Sequence, residues 1–302
     1  MKLSVVVPCY NEAVNVSEFE SELSKALLKE KITYEIIFID DGSTDDTYSK
    51  LSSLNKANKN VKVIRFSRNF GKESAMLAGL KNASGSYVAI MDADLQHTPE
   101  MLILMYKKLI NDDSFDCCCA YKSNREDEGS LKRTLTSLFY KINNKISDVK
   151  LLPGASDFRV FKKSVCDAIT SLDEKTRFLK GMFSWVGFNT IYVPYMPEKR
   201  MYGTSKWSLF KLLKYSLGGI ISFSTKPIKS VFIIGVVALI VGLLNFILMG
   251  NLANRTIILF ISFIMLQLGI ISLYVSRIYS NILNRPCYII KEKLGFNDKH
   301  SK

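Results

Sequence analysis

The chain has 302 residues, 48% hydrophobic and 23% charged, enough for one large domain or two modest ones and too apolar for a disordered polymer. Its formal net charge of +13 is uneven: from Glu198 to the end 14 Lys/Arg face 3 Asp/Glu, net +11, whereas residues 1–197 carry 27 against 25, net +2. A basic excess confined to the most apolar third fits a membrane protein facing anionic lipid, and argues against nucleic acid as a partner, because a nucleic-acid binder carries its charge on a soluble domain.

The first 120 residues alternate strand and helix. Short Val/Ile-rich runs predict strands at 3–8, 34–40, 61–67 and 86–92, with amphipathic helices at about 13–30, 44–57, 71–83 and 99–111. That alternation predicts an α/β domain: a mostly parallel mixed sheet with helices on both faces. Further strands are expected at 115–121, 157–162 and 188–194, and helices near 130–146, 163–171 and 175–186. Cys117, Cys118 and Cys119 fall in one of these strands and read as small apolar residues in a reducing compartment. Two histidines and no CxxC spacing give zinc no ligand set.

The last third differs in kind. "WSLFKLLKYSLGGIISF" (207–223) spaces Trp207, Phe210, Leu213 and Leu217 as on a helix lying in a membrane interface. Residues 231–250 carry no charge, and 256–276 have Gln267 as their only strongly polar member. Each run is long enough to cross a hydrocarbon core of about 30 Å, and only "NLANR" separates them, so a helical hairpin is expected. Lys226, Lys229, Arg277, Arg285, Lys291 and Lys293 flank its open side against Arg255 alone at the turn. The positive-inside rule then puts both termini on the cytoplasmic side of the membrane. The expected organisation is a catalytic domain at 1–206, an amphipathic helix at 207–227, two spans within 228–279 and a basic cytoplasmic tail at 280–302.

Polar clusters fall where the strands end, the edge at which parallel sheets bind ligands. In "YVAIMDADLQH" an apolar run stops at Asp92 and Asp94, followed by Gln96. Hard oxygen donors suit Mg²⁺ or Mn²⁺, which leave positions open for phosphate oxygens. Thr98 and Pro99 also read as the N-cap and first residue of the next helix, and both readings are compatible. In "IDDGSTDDT", Asp40 and Asp41 end another strand, with Ser43 or Thr44 as an alternative helix cap. Two acidic strand ends in one sheet favour a nucleotide site. His97 has no role in this reading.

"VVVPCYNE", "DDGSTD", "SRNFGKESAMLAGL", "DADLQ", "SDFRVF" and "RMYGTSKW" occur in that order. Together they resemble family 2 glycosyltransferases of the polyprenyl-phosphate branch, bactoprenol glucosyltransferases and more distantly dolichol-phosphate mannose synthases, over nearly the whole chain. The resemblance implies a GT-A fold. It implies Pro8, Tyr10, Glu12, Asp40 and Asp41 around the base and ribose of a UDP-sugar, with Lys72 nearby. Asp92, Asp94 and Gln96 would hold the metal on the diphosphate. It further implies Arg125 and Arg133 at phosphate, Arg200 and Lys206 on a loop closing over both substrates, and Asp157 near the acceptor. That acceptor would be undecaprenyl or another polyprenyl phosphate, the product an inverted lipid-linked sugar, and the assembly a homo-oligomer, in relatives a tetramer. Glucose is the default sugar of this branch; GlcNAc, galactose, mannose and aminoarabinose are alternatives.

Other readings fit less well. A processive polysaccharide synthase would bring a QxxRW-type element and more spans; Trp185 and Trp207 sit in neither context. A membrane-tethered binding module has no interleaved basic and aromatic residues on its soluble part. No GxGxxG follows a strand, and "FGKES" lacks the upstream glycine of a P-loop.

Overall fold

The computed structural model describes residues 2–122, 130–175, 177–195, 219, 221–248 and 253–296. Eight strands form one sheet in the order β7-β5-β6-β4-β1-β2-β3-β8. The centre is a parallel nucleus: β1 (Lys2–Cys9) pairs with β2 (Thr33–Asp40) and β4 (Tyr87–Ile90), and β2 with β3 (Val61–Phe66). Between these run α1 (Val16–Lys29), α2 (Thr47–Ala57) and α3 (Lys72–Asn82), with α4 (Pro99–Asn111) after β4. Strands β1, β2 and β4 are apolar on both faces because helices cover both, as buried parallel strands require.

The second half turns antiparallel. β6 (Ala155–Lys162) lies between β4 and β5 (Cys117–Lys122), antiparallel to both, and β7 (Thr190–Tyr195) pairs parallel with β5. Helices α5 (Ser130–Ile146), α6 (Lys163–Thr170) and α7 (Leu179–Trp185) complete this half. Two apolar layers result: Phe19, Phe38, Leu102 and Phe158 lie in one, and Val6, Ile39, Met76, Phe161 and Met182 in the other. The three adjacent cysteines are buried on β5 as expected. Burial pushes the Cys117 and Cys118 thiols up to about 12, so neither is a thiolate nucleophile at neutral pH.

Two differences from the sequence reading bear on the site's surroundings. Helix α2 starts at Thr47 rather than 44, because Asp45 accepts the Thr47 N–H at 3.0 Å and holds residues 43–46 in a turn. The segment expected as a basic tail instead contains β8 (Ile290–Leu294), which pairs antiparallel with β3 and closes that edge of the sheet. Its pattern, IKEKL, is too short and charged to stand out as a strand, but charge suits an edge strand.

Helices α8 (Lys226–Leu248) and α9 (Ala253–Ile282) pack against each other as a pair. Among the described residues one stretch, Phe263–Ile282, is long and apolar enough to cross a membrane, and none of it is buried. Gln267 faces the partner helix: a Cβ placed on Gly235 would lie 3.7 Å from its Oε1. Its polar end is therefore turned toward the other helix of the pair. Most of the expected amphipathic helix at 207–227 falls outside the described residues.

Candidate active site

The parallel strands deliver their carboxyl ends to one edge, and the direction of β6 brings its start to that same edge. Ile90 pairs with Arg159, so continuing this antiparallel register by two residues sets Asp157 opposite Asp92. Residues 65 positions apart thereby meet. Lys72, the first residue of α3, reaches between them: its Nζ lies 2.7 Å from Asp92 Oδ1 and 3.1 Å from Asp157 Oδ2. Lys180 on α7 approaches Asp157 Oδ1 at 3.9 Å and donates to Ala155 O at 3.0 Å. Burial alone would raise the Asp157 carboxyl, but Lys72 and Lys180 outweigh it and hold it well below the usual range. Burial likewise disfavours the Lys72 ammonium, and the two carboxylates more than offset that, raising its pKa.

The loop after β4 is pinned from beneath. Leu95 adopts a left-handed φ of 59° while its side chain is buried in the core. A branched residue there is strained, so packing must hold it. The turn presents Asp94 and Gln96 beside Asp92; Asp94 Oδ1 accepts the Gln96 N–H at 3.2 Å. Thr98 caps α4 by accepting Met101 N–H at 3.3 Å, with Pro99 at the first helical position, as the sequence predicts. His97 is buried under this loop, stacked near Phe158 and 3.1 Å from the Tyr195 hydroxyl. Burial pushes the imidazole pKa down, favouring the neutral ring.

Two carboxylates with a neighbouring amide form a partial set of hard oxygen donors. That suits a divalent cation completing its shell with diphosphate oxygens. Among the described residues no three His, Cys, Asp or Glu side chains gather into a metal cage. The residues therefore fit Mg²⁺ or Mn²⁺ held jointly with a substrate.

The other acidic strand end is tied into its own loops. Asp40 is fully buried: one carboxylate oxygen accepts the Ser43 N–H at 2.9 Å and the other lies 3.5 Å from Arg65 Nε. It supports the turn from behind and has no surface for a ligand. Asp41 accepts the N–H groups of Phe70 and Gly71 at 2.7 and 2.9 Å, fastening the loop that launches Lys72. Burial outweighs these two hydrogen bonds and, with Asp40 adding to it, moves the Asp41 carboxyl up to about 6. Gly42 has φ 66°, and a Cβ there would collide with the backbone of Arg68 and Asn69, so this close approach of two loops requires glycine.

Pro8, Tyr10 and Glu12 stand at the end of β1 on the same edge, Tyr10 exposed. The Glu12 N–H donates to Thr47 Oγ1 and its carboxylate accepts from Asn15 Nδ2 at 2.7 Å. Lys72 follows the Gly71 N–H that Asp41 accepts, and its ammonium reaches Asp92 and Asp157. Arg125, Arg200 and Lys206 lie outside the described residues; Arg133 is on α5, and its side chain is likewise not described. Lys180 had no motif to mark it, and Arg159 stood within "SDFRVF" without an assigned role.

Residues 4–170 match the family described as Glycosyl transferase family 2. The SfII prophage-derived bactoprenol glucosyl transferase of Shigella flexneri is 36% identical over 305 residues, covering 97% of this chain and 98% of that one. A prophage bactoprenol glucosyl transferase homolog of Escherichia coli (strain K12) is 36% identical over 304 residues, covering 96% and 99%. Among solved structures, glucosyl-3-phosphoglycerate synthase from Mycobacterium tuberculosis, in complex with Mn²⁺, UDP-glucose and phosphoglyceric acid, superposes with a TM-score of 0.51 at 17% identity. That match covers 73% of this chain and 77% of that one, and supports the GT-A fold.

Proposed function

Because the chain belongs to glycosyl transferase family 2 and is a glycosyltransferase, we propose that it moves a sugar, by default glucose, from a UDP-sugar to a polyprenyl phosphate. The acceptor is supported by the names of its near-full-length relatives and by the exposed apolar helix pair. In this reading α8 and α9 anchor the protein in a membrane, with the sheet on the cytoplasmic side among anionic lipids.

The observation that carries the reading is Lys72 bridging Asp92 and Asp157. It joins the residues expected at the donor diphosphate and at the acceptor in one point across β4 and β6. A lipid monophosphate has its second pKa near about 6, so at neutral pH it is largely a dianion and needs no strong base. A lone pair of its phosphate oxygen attacks the anomeric carbon on the face opposite UDP. The bond from that carbon to the diphosphate oxygen breaks, its electron pair leaving on UDP, and no proton moves. An α-linked donor gives a β-linked product. Asp157 has ammonium groups against both carboxylate oxygens, which suits holding cations in place rather than taking a proton. Lys72 and Lys180, with Arg125, Arg133, Arg200 and Lys206 as the resemblance implies, would offset repulsion between two anionic substrates. Asp92, Asp94 and Gln96 would hold Mg²⁺ or Mn²⁺, which when bound neutralises the diphosphate.

The test is transfer from labelled UDP-glucose to undecaprenyl phosphate in detergent, with other UDP-sugars and water-soluble sugar acceptors as alternatives. Asp94→Asn is expected to lose transfer by about 100-fold or more while keeping its melting temperature. Near-normal turnover in that variant would overturn its role.

A further inference from the structure

Glu73 follows Lys72 in "SRNFGKESAMLAGL" and is the second residue of α3. Its Oε2 accepts the Leu179 N–H at 3.1 Å, across 106 residues of chain. Leu179 is the first residue of α7, and Phe178 before it has no side-chain oxygen with which to cap the helix. A first-turn donor that α7 cannot satisfy itself is therefore met by a carboxylate from another helix. The charge suits the place, since one carboxylate serves the positive, N-terminal ends of both α3 and α7. It also attracts the buried Arg177 guanidinium, which donates to Leu172 O at 2.7 Å and Ile169 O at 2.8 Å. On its other side α7 is blocked by Phe223, whose ring a Cβ on Gly181 would strike.

The bond joins the residue after Lys72 to the residue before Lys180. These two lysines meet Asp157 on its two oxygens, Lys72 at 3.1 Å from Oδ2 and Lys180 at 3.9 Å from Oδ1. The helices that carry them belong to different halves of the fold: α3 packs on β1 and β2, whereas α7 comes between β6 and β7 in the chain. We propose that Glu73 is a positioning residue for transfer. It fixes the start of α7 against the start of α3, and so sets the Lys180 ammonium on Asp157 opposite Lys72. It acts through Lys180 rather than by touching substrate. This role rests on the reaction proposed above, in which Asp157 stands near the acceptor.

The test uses full-length protein in detergent, with variants that separate reach from charge. Glu73→Gln keeps an oxygen within reach of the Leu179 N–H, Glu73→Asp keeps the charge but falls a methylene short, and Glu73→Ala has neither. For transfer from UDP-glucose to undecaprenyl phosphate, Glu73→Ala and Glu73→Asp are expected to lower kcat about tenfold, with the KM for UDP-glucose within about twofold of wild type. Glu73→Gln should keep kcat within about threefold. A second readout needs no turnover: acetylation of Lys180 by acetic anhydride, followed by mass spectrometry. A lysine released from its carboxylate loses its proton more easily, so Lys180 should react about threefold faster or more in Glu73→Ala and Glu73→Asp, and at the wild-type rate in Glu73→Gln. Should Glu73→Ala not fold, Glu73→Asp against Glu73→Gln carries the same comparison. Glu73→Gln losing as much kcat as Glu73→Asp, or Lys180 labelled alike in every protein, would overturn the positioning role. A wild type that transfers from none of the UDP-sugars refutes the reaction instead, and the labelling pattern then decides by itself whether Glu73 places Lys180.

Discussion

Replacing Lys72 by methionine removes the one ammonium that Asp92 and Asp157 share. Contacts of 2.7 and 3.1 Å to a single nitrogen keep the two carboxylate oxygens within about 6 Å of each other. At an effective dielectric of about 20, two negative charges at about 6 Å repel by about 3 kcal/mol. Each side chain is between 21% and 32% exposed, so solvent screens part of this, and one carboxyl relieves the rest by taking a proton. The expected net loss is about 2 kcal/mol, a fall of about 3 °C in melting temperature for a chain of this size. A divalent cation at Asp92 supplies the charge that Lys72 supplied. Thermal unfolding with and without Mn²⁺, no nucleotide present, therefore discriminates. In the wild type Lys72 competes with the ion and Mn²⁺ alone shifts unfolding little. In Lys72→Met the shift should be larger and recover most of the lost stability. Equal Mn²⁺ responses in the two proteins would refute the reading that Lys72 and the metal share Asp92.

Two buried carboxyls give pH effects of opposite sign. Asp41, raised to about 6 from 3.8, contributes stability below pH 4 that is lost as pH rises through 6, about 3 kcal/mol at most. Glu35 meets Lys62, Ser4, Ser84 and Lys2; burial would raise it, but together they lower it to about 2 from 4.5. Its contribution, of similar size, is present above pH 4.5 and lost as pH falls toward 2. Urea midpoints of Asp41→Asn and Glu35→Gln against the wild type, from pH 3 to 7, should show the two differences running in opposite directions; parallel curves would refute the assignments. Gly79→Ala should cost about 1–3 kcal/mol by the same measurement, because a Cβ there meets the buried side chains of Val6 and Ile39. A neutral result would mean that α3 can move off the sheet, taking Lys72 with it.

The parallel half of the fold was legible because period and length agree: apolar runs of four to eight residues alternate with helices, and each acidic cluster sits where a run stops. The strand-end location of Asp92 and Asp94 followed from that alone. The meeting of Asp92 with Asp157 did not, since it depends on β6 running antiparallel and on a register that no local pattern encodes. Asp40 and Asp41 show a related blind spot. Both read as ligand residues, and their oxygens also accept backbone N–H groups or face Arg65, holding the loops around the site. A carboxylate at a strand end is the same letter whether it faces substrate or props a turn. β8 escaped notice because its pairing partner lies more than 200 residues earlier and its own sequence is mostly charged.

β8 also changes what the helix pair is attached to. The chain leaves the sheet from β7 at one edge and re-enters as β8 at the other. Seven inter-strand steps of about 4.8 Å separate those edges by about 34 Å. The helix pair is thus held to the sheet domain on both of its chain connections, at the end of α5 and through β8. Secondary contacts reinforce each tie. On the entry side Ser147 Oγ donates to Phe223 O, and Tyr274 OH on α9 donates to Ser224 O at 2.9 Å. On the return side Tyr288 stacks on Phe66, ring centres 4.9 Å apart, at the end of β3. A single tether would let the catalytic edge tumble above a membrane. Two separate connections, one at the end of α5 and one through β8, restrict its rotation relative to α8 and α9. That restriction matters if the acceptor is a lipid, because the phosphate arrives at a depth set by the membrane and the carboxyl edge has to meet it there.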